Sequence, residues 1–286
     1  MSQTTQTYVP KGKPSLRDRI NTWPDRAQAS LVSFVSETGG IMKFMLSSLR
    51  LSLQPPFRYL EIVRHMEFVG NQSLIIISLT GVFTGLALSM QIYLGFKMFN
   101  ATNMVGPVVA LGIARELGPV LTGLIVAARA GGAMAARLGT MRVNEQIDAL
   151  DVMGVNAKQY LIAPRIIAAV ICMPLLTAVF DFVAMLGSWI LCVHLVGLDE
   201  AVFWDKIRGM LEVRHINEGL FKAALFGLVF STICTYRGYH TKGGAKGVGD
   251  ATNQGVVQSM VMIIILDYFA TNIIRIFYAL TGVGKL

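Results

Sequence analysis

Four ionisable side chains lie deep within apolar stretches of this chain: Arg115 and Glu116 side by side, Asp181, and Asp267, with Arg275 two turns beyond the last. A charge at such depth in a bilayer costs several kcal/mol unless it is paired or hydrated. Adjacent residues on a helix point about 100° apart, so Arg115 and Glu116 cannot simply face each other. At least one of them must find a partner on another helix or line a polar cavity. Two arrangements meet that demand. One is an internal ion-pair network, such as Arg115 with Asp181 or Asp267. The other is a cavity that handles a charged or polar group of a transported molecule.

A second polar group lies between two apolar stretches, from Met141 to Tyr160. It carries Arg142, Glu145, Gln146, Asp148 and Asp151, with Ile147, Leu150 and Met153 spaced at i, i+3 and i+6. This spacing predicts a helix, either a solvated connector or an element that docks its apolar side into a cytoplasmic partner. Enzyme chemistry has no constellation to stand on. The sequence contains no GxxxxGK[ST] phosphate loop, HExxH or GxSxG, and His65, His194, His215 and His240 are scattered. No catalytic residue, no metal site and no cofactor of this chain's own is expected. Cys172, Cys192 and Cys234 lie in apolar stretches without CxxC spacing and read as packing residues.

These groups are positioned by membrane helices. The chain is 53% hydrophobic and only 15% charged, with a mean hydropathy of +0.56, which excludes an ordinary soluble protein. Spans need about 20 mostly apolar residues, and five stretches qualify, at about residues 73–96, 105–138, 164–196, 220–239 and 256–280. The second would reach about 50 Å as a straight helix, beyond a hydrocarbon core of about 30 Å, so it must tilt, break or project from the membrane. Leu31 to Leu53 is apolar overall but carries Glu37, Lys43 and Arg50 and precedes Pro55-Pro56. It reads as an amphipathic helix lying in the interface, part of an elbow over residues 26–72, the alternative being a sixth span. Residues 1–25 are polar and basic without an apolar run, and read as a disordered segment with no cleaved signal.

The net charge of +8 reflects topology and not nucleic-acid binding. With the N-terminus inside, seventeen Lys and Arg fall on the cytoplasmic side and six outside: Lys97, Lys206, Arg208, Arg214, Lys222 and Lys285. Small residues recur in the second span at Gly123, Ala127, Gly131, Ala135 and Gly139, and in the first at Gly81 and Gly85. Such rows let backbones approach closely, whether within one chain or between two copies.

The first span reads GVFTGLALSMQ from Gly81 to Gln91, and RELGPVLTGLIVAARAGGA runs from Arg115 to Ala133. LGTMRVNEQIDALDVMGVN follows from Leu138 to Asn156, and GVGDATNQGVVQSMVMIIILDYFAT from Gly247 to Thr271. In these segments the chain strongly resembles the MlaE/YrbE family, permeases of the Mla and Mce lipid ABC transporters, over about residues 30–280. The resemblance implies an all-α membrane permease domain over 73–281, working as a homodimer. Its implied partners are a cytoplasmic ABC ATPase that binds ATP and Mg, a periplasmic MCE-domain protein and often a STAS-domain protein. It implies phospholipid movement between inner and outer membranes, maintaining outer-membrane lipid asymmetry, from the inner membrane of a diderm bacterium. The 141–156 region would be the coupling helix that meets the ATPase. The lipid pocket would include Leu88, Gln91, Arg115 and Glu116. Arg137 departs from the family, which commonly has an acidic residue there. The competing expectation is a proton-coupled secondary transporter using Asp181 and Asp267, although five spans without inverted repeats argue against it. A membrane scaffold would leave the buried charges unexplained.

Overall fold

In a bilayer a backbone must satisfy its hydrogen bonds within its own segment, so long apolar runs become helices. In the computed structural model, which describes residues 23–52, 54 and 58–281, the chain is all α-helical, with no strand among the described residues. Five helices are long and apolar enough to cross a membrane: Tyr59–Lys97, Thr102–Val143, Lys158–Leu195, Val213–Tyr239 and Gly244–Leu280. The chain divides into two units, Met1–Lys43 and Phe44–Leu286. Helix α1 (Trp23–Ser52) is not among the candidate spans. The expectation of a disordered segment over 1–25 falls, up to residue 22, outside the described residues.

The first span consists of α2 (Tyr59–Val69) and α3 (Asn71–Lys97), joined at Gly70. On α3 the buried residues are Ser73, Ile77, Gly81, Gly85 and Ser89, one every four positions. This stripe of mostly small residues lies against α8 (Ala163–Trp189) of the third span. A Cβ added at Gly85 would stand 1.9 Å from the Ala184 carbonyl oxygen, and Ser89 Oγ donates to Ser188 Oγ at 2.7 Å. The rest of α3 is left outward, with Ile75, Leu79 and Phe83 exposed.

The second span stays helical but is interrupted twice. α4 (Val105–Gly112), α5 (Gly118–Val126) and α6 (Gly132–Val143) are joined by π-helical turns at Ile113–Leu117 and Ala127–Gly131. The small-residue row of this span packs on a helix of the same chain, α10 (Val213–Tyr239). Added Cβ atoms would meet Phe226 at Gly123, Cys234 Sγ at Gly131, and from the other side the Ala135 oxygen at Gly238. Gly139 faces Thr241 and Val248, and Ala127 is fully buried.

Short helices α7 (Gln146–Val152) and α9 (Glu200–Met210) connect the spans at opposite ends, and α11 (Gly244–Thr281) forms the last. Asp199 caps α9 by accepting from the Val202 amide at 2.9 Å. Phe203 and Ile207, one turn apart, bury that helix's apolar side over Gly106. Among the spans α10 is the most buried and the least apolar. A central helix can afford polar residues only if its neighbours satisfy them, and its neighbours do.

Candidate functional site

Pro119 begins the site. An α-helix would bond the Arg115 carbonyl to the amide four residues on, but proline has none to offer. The backbone widens into the π-turn at Ile113–Leu117, and the ammonium of Lys222 donates to the Arg115 oxygen at 3.0 Å. π-turns of this kind are frequent at functional sites.

From that turn the adjacent pair diverges as helix geometry requires, and each member meets α10. Arg115 Nε donates to Glu218 Oε2 at 3.0 Å, and Lys222 Nζ donates to Glu116 Oε2 at 2.7 Å. Glu218 and Lys222 are one turn apart, so a single face of α10 answers both charges. The same ammonium reaches Asp267 Oδ1 at 3.1 Å and Thr271 Oγ1 at 2.6 Å, again one turn apart, on α11. Three helices are tied through one lysine. Its side chain is 2% exposed, while those of Glu116 and Arg115 are 40% and 32% exposed. The cluster therefore has a buried floor and an open carboxylate–guanidinium edge. Two cations stand against three carboxylates, Glu116, Glu218 and Asp267.

An open groove of about 560 Å³ runs along α3, lined by Thr80, Phe83, Thr84, Leu88, Gln91 and, from the second span, Leu117, the residue after Glu116. Of the residues expected in a lipid pocket, Leu88 and Gln91 line the groove, and Arg115 and Glu116 adjoin it through Leu117. Asp267 sits on the floor of the cluster. Asp181 stands apart, wedged against Gly118, where an added Cβ would be 1.9 Å from its Oδ1. That oxygen is buried without a hydrogen bond among the described residues. No hydrogen bond joins Asp181 to Asp267 among the described residues.

Two expectations need correction. Arg115 pairs with neither Asp181 nor Asp267 but with Glu218. Lys222, placed outside in the charge balance, lies within the fourth span and is fully buried. That span begins at Val213, seven residues before the predicted start, because Glu218 looked like part of a polar loop. The spacing of Glu218 and Lys222, i and i+4 ahead of an apolar run, was the signal that could have found them.

The polar segment after α6 folds as α7, seven residues long, preceded by Glu145 in the left-handed region at φ 58°. Arg142 Nη1 pairs with Asp148 Oδ1 at 2.6 Å, and the Asp151 carboxylate accepts from the Ala157 amide at 3.4 Å. Of the three apolar anchors, Ile147 is fully buried and Leu150 packs in the same cluster as Phe44 and Leu138. Both serve this chain's own core. Met153 is exposed, as is Val152, and Glu145, Gln146, Asp148 and Asp151 lie on the open side with them.

The model of the permease MlaE family matches residues 62–273. A probable ABC transporter permease protein of Rickettsia conorii is 38% identical over 242 residues, covering 85% of this chain and 93% of the relative. The intermembrane phospholipid transport system permease protein MlaE of Haemophilus influenzae is 36% identical over 213 residues, covering 74% and 82%.

Proposed function

This chain belongs to the MlaE permease family, a family of multi-pass membrane transport subunits, and from that premise we propose that it moves phospholipids across or out of the inner membrane. One observation supports the reading: the wall of an apolar groove includes Leu117, which directly follows a paired but partly exposed Arg115–Glu116 charge cluster in the same π-turn. A two-tailed lipid needs that combination, with apolar walls for its acyl chains and a few fixed charges for its headgroup. Glu116 and Arg115 orient the headgroup, Leu88 and Phe83 hold acyl chain, Lys222 keeps the Glu116 carboxylate in place and Glu218 the Arg115 guanidinium.

The chain itself carries no nucleotide machinery, so ATP and Mg belong to a cytoplasmic ABC ATPase. Two permease copies would face each other, with an MCE-domain protein on the periplasmic side and a STAS-domain protein in the cytoplasm. The work of the assembly is to exchange phospholipid with the outer membrane and keep that membrane asymmetric. The N-terminus and α7 lie in the cytoplasm on the balance of basic residues.

Arg115→Ala and Glu116→Ala are expected to cut lipid transfer about tenfold, the effect of one lost charge-assisted contact, while the complex still assembles. Transfer between donor and acceptor vesicles by the reconstituted complex measures this, and unchanged transfer in both variants would count against a pocket role. At the other end, Val152→Asp with Met153→Asp would place charge on the exposed apolar corner of α7. The expected result is loss of ATPase co-isolation from a chain that still folds, since neither side chain is in the core. Co-isolation at the parental level would remove α7 as the coupling element.

A further inference from the structure

A second concentration of charge lies on the first three spans, well away from Lys222. Arg129, in the second π-turn, donates from Nη1 to the Phe68 carbonyl at 3.1 Å and to Ser73 Oγ at 2.6 Å. Its Nη2 donates to Phe68 O at 3.1 Å and to Gln72 Oε1 at 2.6 Å. Every one of these acceptors is neutral, so the guanidinium is locked in place with its charge uncompensated. Arg137, two turns along the same span, lies with its guanidinium 4.3 Å from the Phe68 ring, and that of Arg129 is 5.2 Å from the same ring. Among the described residues Arg137 makes no hydrogen bond or ion pair, and it is exposed. Arg165 is 7% exposed and donates only to the Leu161 carbonyl. It and His65 lie within electrostatic reach of Arg137. Of the acids nearby, Glu61 acts on Arg165 through space but is bonded to Arg64 at 2.9 Å, and Glu67 lies on the exposed flank of α2; neither bonds any of the three arginines.

Three guanidiniums converging with no carboxylate bonded to them among the described residues make a site for an anion, and arginine forks suit the oxygens of a phosphate. Its surroundings say which phosphate. Gln72, the exposed outer ligand of Arg129, starts a face of α3 that continues through Ile76, Leu79 and Phe83, at 44%, 59% and 63% exposure. Leu79 and Phe83 then line the groove that ends at Gln91. From Gln72 to Gln91 is about 28 Å of helix, close to the hydrocarbon thickness of about 30 Å. The arginines therefore stand at one membrane surface, the end that charge balance puts in the cytoplasm, with an unbroken apolar track leading away from them. A soluble anion has no use for such a track.

We propose that Arg129, Arg137 and Arg165, with His65 and Gln72, form a headgroup site for an anionic phospholipid of the cytoplasmic leaflet, at the far end of the groove from Glu116. Phosphate oxygens take the free N–H groups of Arg137, Arg129 and Gln72 form the wall, and one acyl chain lies over Ile76 and Leu79. For its purpose, as a loading or holding station for cargo, the site rests on the lipid-transport reading. Its occupancy is an equilibrium property, so a chain that moves no lipid can still bind one here.

The test uses the full-length chain, stripped of lipid in detergent and mixed with micelles containing equal phosphatidylglycerol and phosphatidylcholine. Bound lipids are counted by native mass spectrometry. The parental chain should retain phosphatidylglycerol in preference. Arg137→Gln should lower that retention about tenfold without changing phosphatidylcholine, Arg137→Lys should restore most of it, and Lys206→Gln, on α9, should leave it alone. Arg137 is exposed and unbonded, so its variants should fold, and a circular-dichroism melt checks that they do. Equal retention by the parental chain and Arg137→Gln would overturn the site. Inorganic phosphate binding as tightly as the lipid would reassign it to a soluble anion and overturn it equally. An Arg137→Gln chain that keeps phosphatidylglycerol but no longer co-isolates with the ATPase would give this surface to a protein partner instead.

Discussion

Lys222→Met should lower the stability of the purified chain by about 3 kcal/mol and abolish lipid transfer. The magnitude follows from leaving buried charges without their partner, which costs about 3–5 kcal/mol in folded proteins. It is set at the lower end because Glu116 is 40% exposed and can recover some hydration, whereas Asp267, at 20%, recovers less. The lysine also donates to the Arg115 carbonyl, whose usual α-helical donor Pro119 lacks, so its loss removes that bond as well. A second substitution set separates stability from function. Lys222→Met combined with Glu116→Gln and Asp267→Asn removes the stranded charges and should return the unfolding midpoint in detergent towards the parental value. Transfer should stay lost, because the headgroup edge has lost both the Glu116 charge and the lysine that positions it. If the single variant melts like the parent, the two carboxylates are hydrated from the groove and Lys222 is not the floor of the site. If the triple variant transports lipid, the cluster is structural and the headgroup is handled elsewhere.

That lysine also marks the limit of what the sequence discloses. Five spans, the long broken second helix and the depth of Arg115, Glu116 and Asp267 were legible because each is a local property, either the length of an apolar run or a charge within it. The small-residue rows were legible as packing surfaces, yet their partner was not: only the assembled fold puts Gly131 on Cys234 and Gly85 on Ala184. Pairing was the least legible. Arg115 and Glu218 are 103 positions apart, and nothing in the pattern of either span selects Glu218 over Asp181. Lys222 was read as a topological charge because, within a window of apolar residues, a lysine three positions into the run looks like its edge. The carboxylates, hydroxyl and backbone carbonyl that make it a core residue come from two other helices. α7 illustrates the same limit on a smaller scale, since the i, i+3, i+6 row is real but two of its three members turn inward.

Gly219→Ala is the second change expected to have a large effect, and it acts on the same cluster through packing alone. An added Cβ would lie 2.0 Å from the Ala114 carbonyl oxygen and 3.3 Å from Pro119 Cγ. Both belong to the wall that frames the first π-turn, and a carbonyl in a helix cannot rotate aside as a side chain can. α10 must move away from the second span, by an ångström or so, to reach ordinary contact. Overpacking of this kind costs about 1–3 kcal/mol. Function should suffer more than stability, because Gly219 sits between Glu218 and Lys222. The displacement stretches the 3.0 Å Arg115–Glu218 bond and the 2.7 Å Lys222–Glu116 bond together, and a charge-assisted bond weakens steeply with both distance and angle. Gly112→Ala is the matched comparison. It lies one turn before Arg115 on the same span, has nothing within 4 Å of an added Cβ, and should gain about 1 kcal/mol of helix propensity. The expected result is a chain with Gly219→Ala that folds, melts somewhat lower and transfers lipid at least tenfold more slowly, beside a chain with Gly112→Ala that does neither. Should the two variants transfer lipid equally well, close approach of α10 to the π-turn would not be what holds the ion pairs in register, and the open edge formed by Arg115 and Glu116 would have to be set from the α11 side through Asp267 and Thr271.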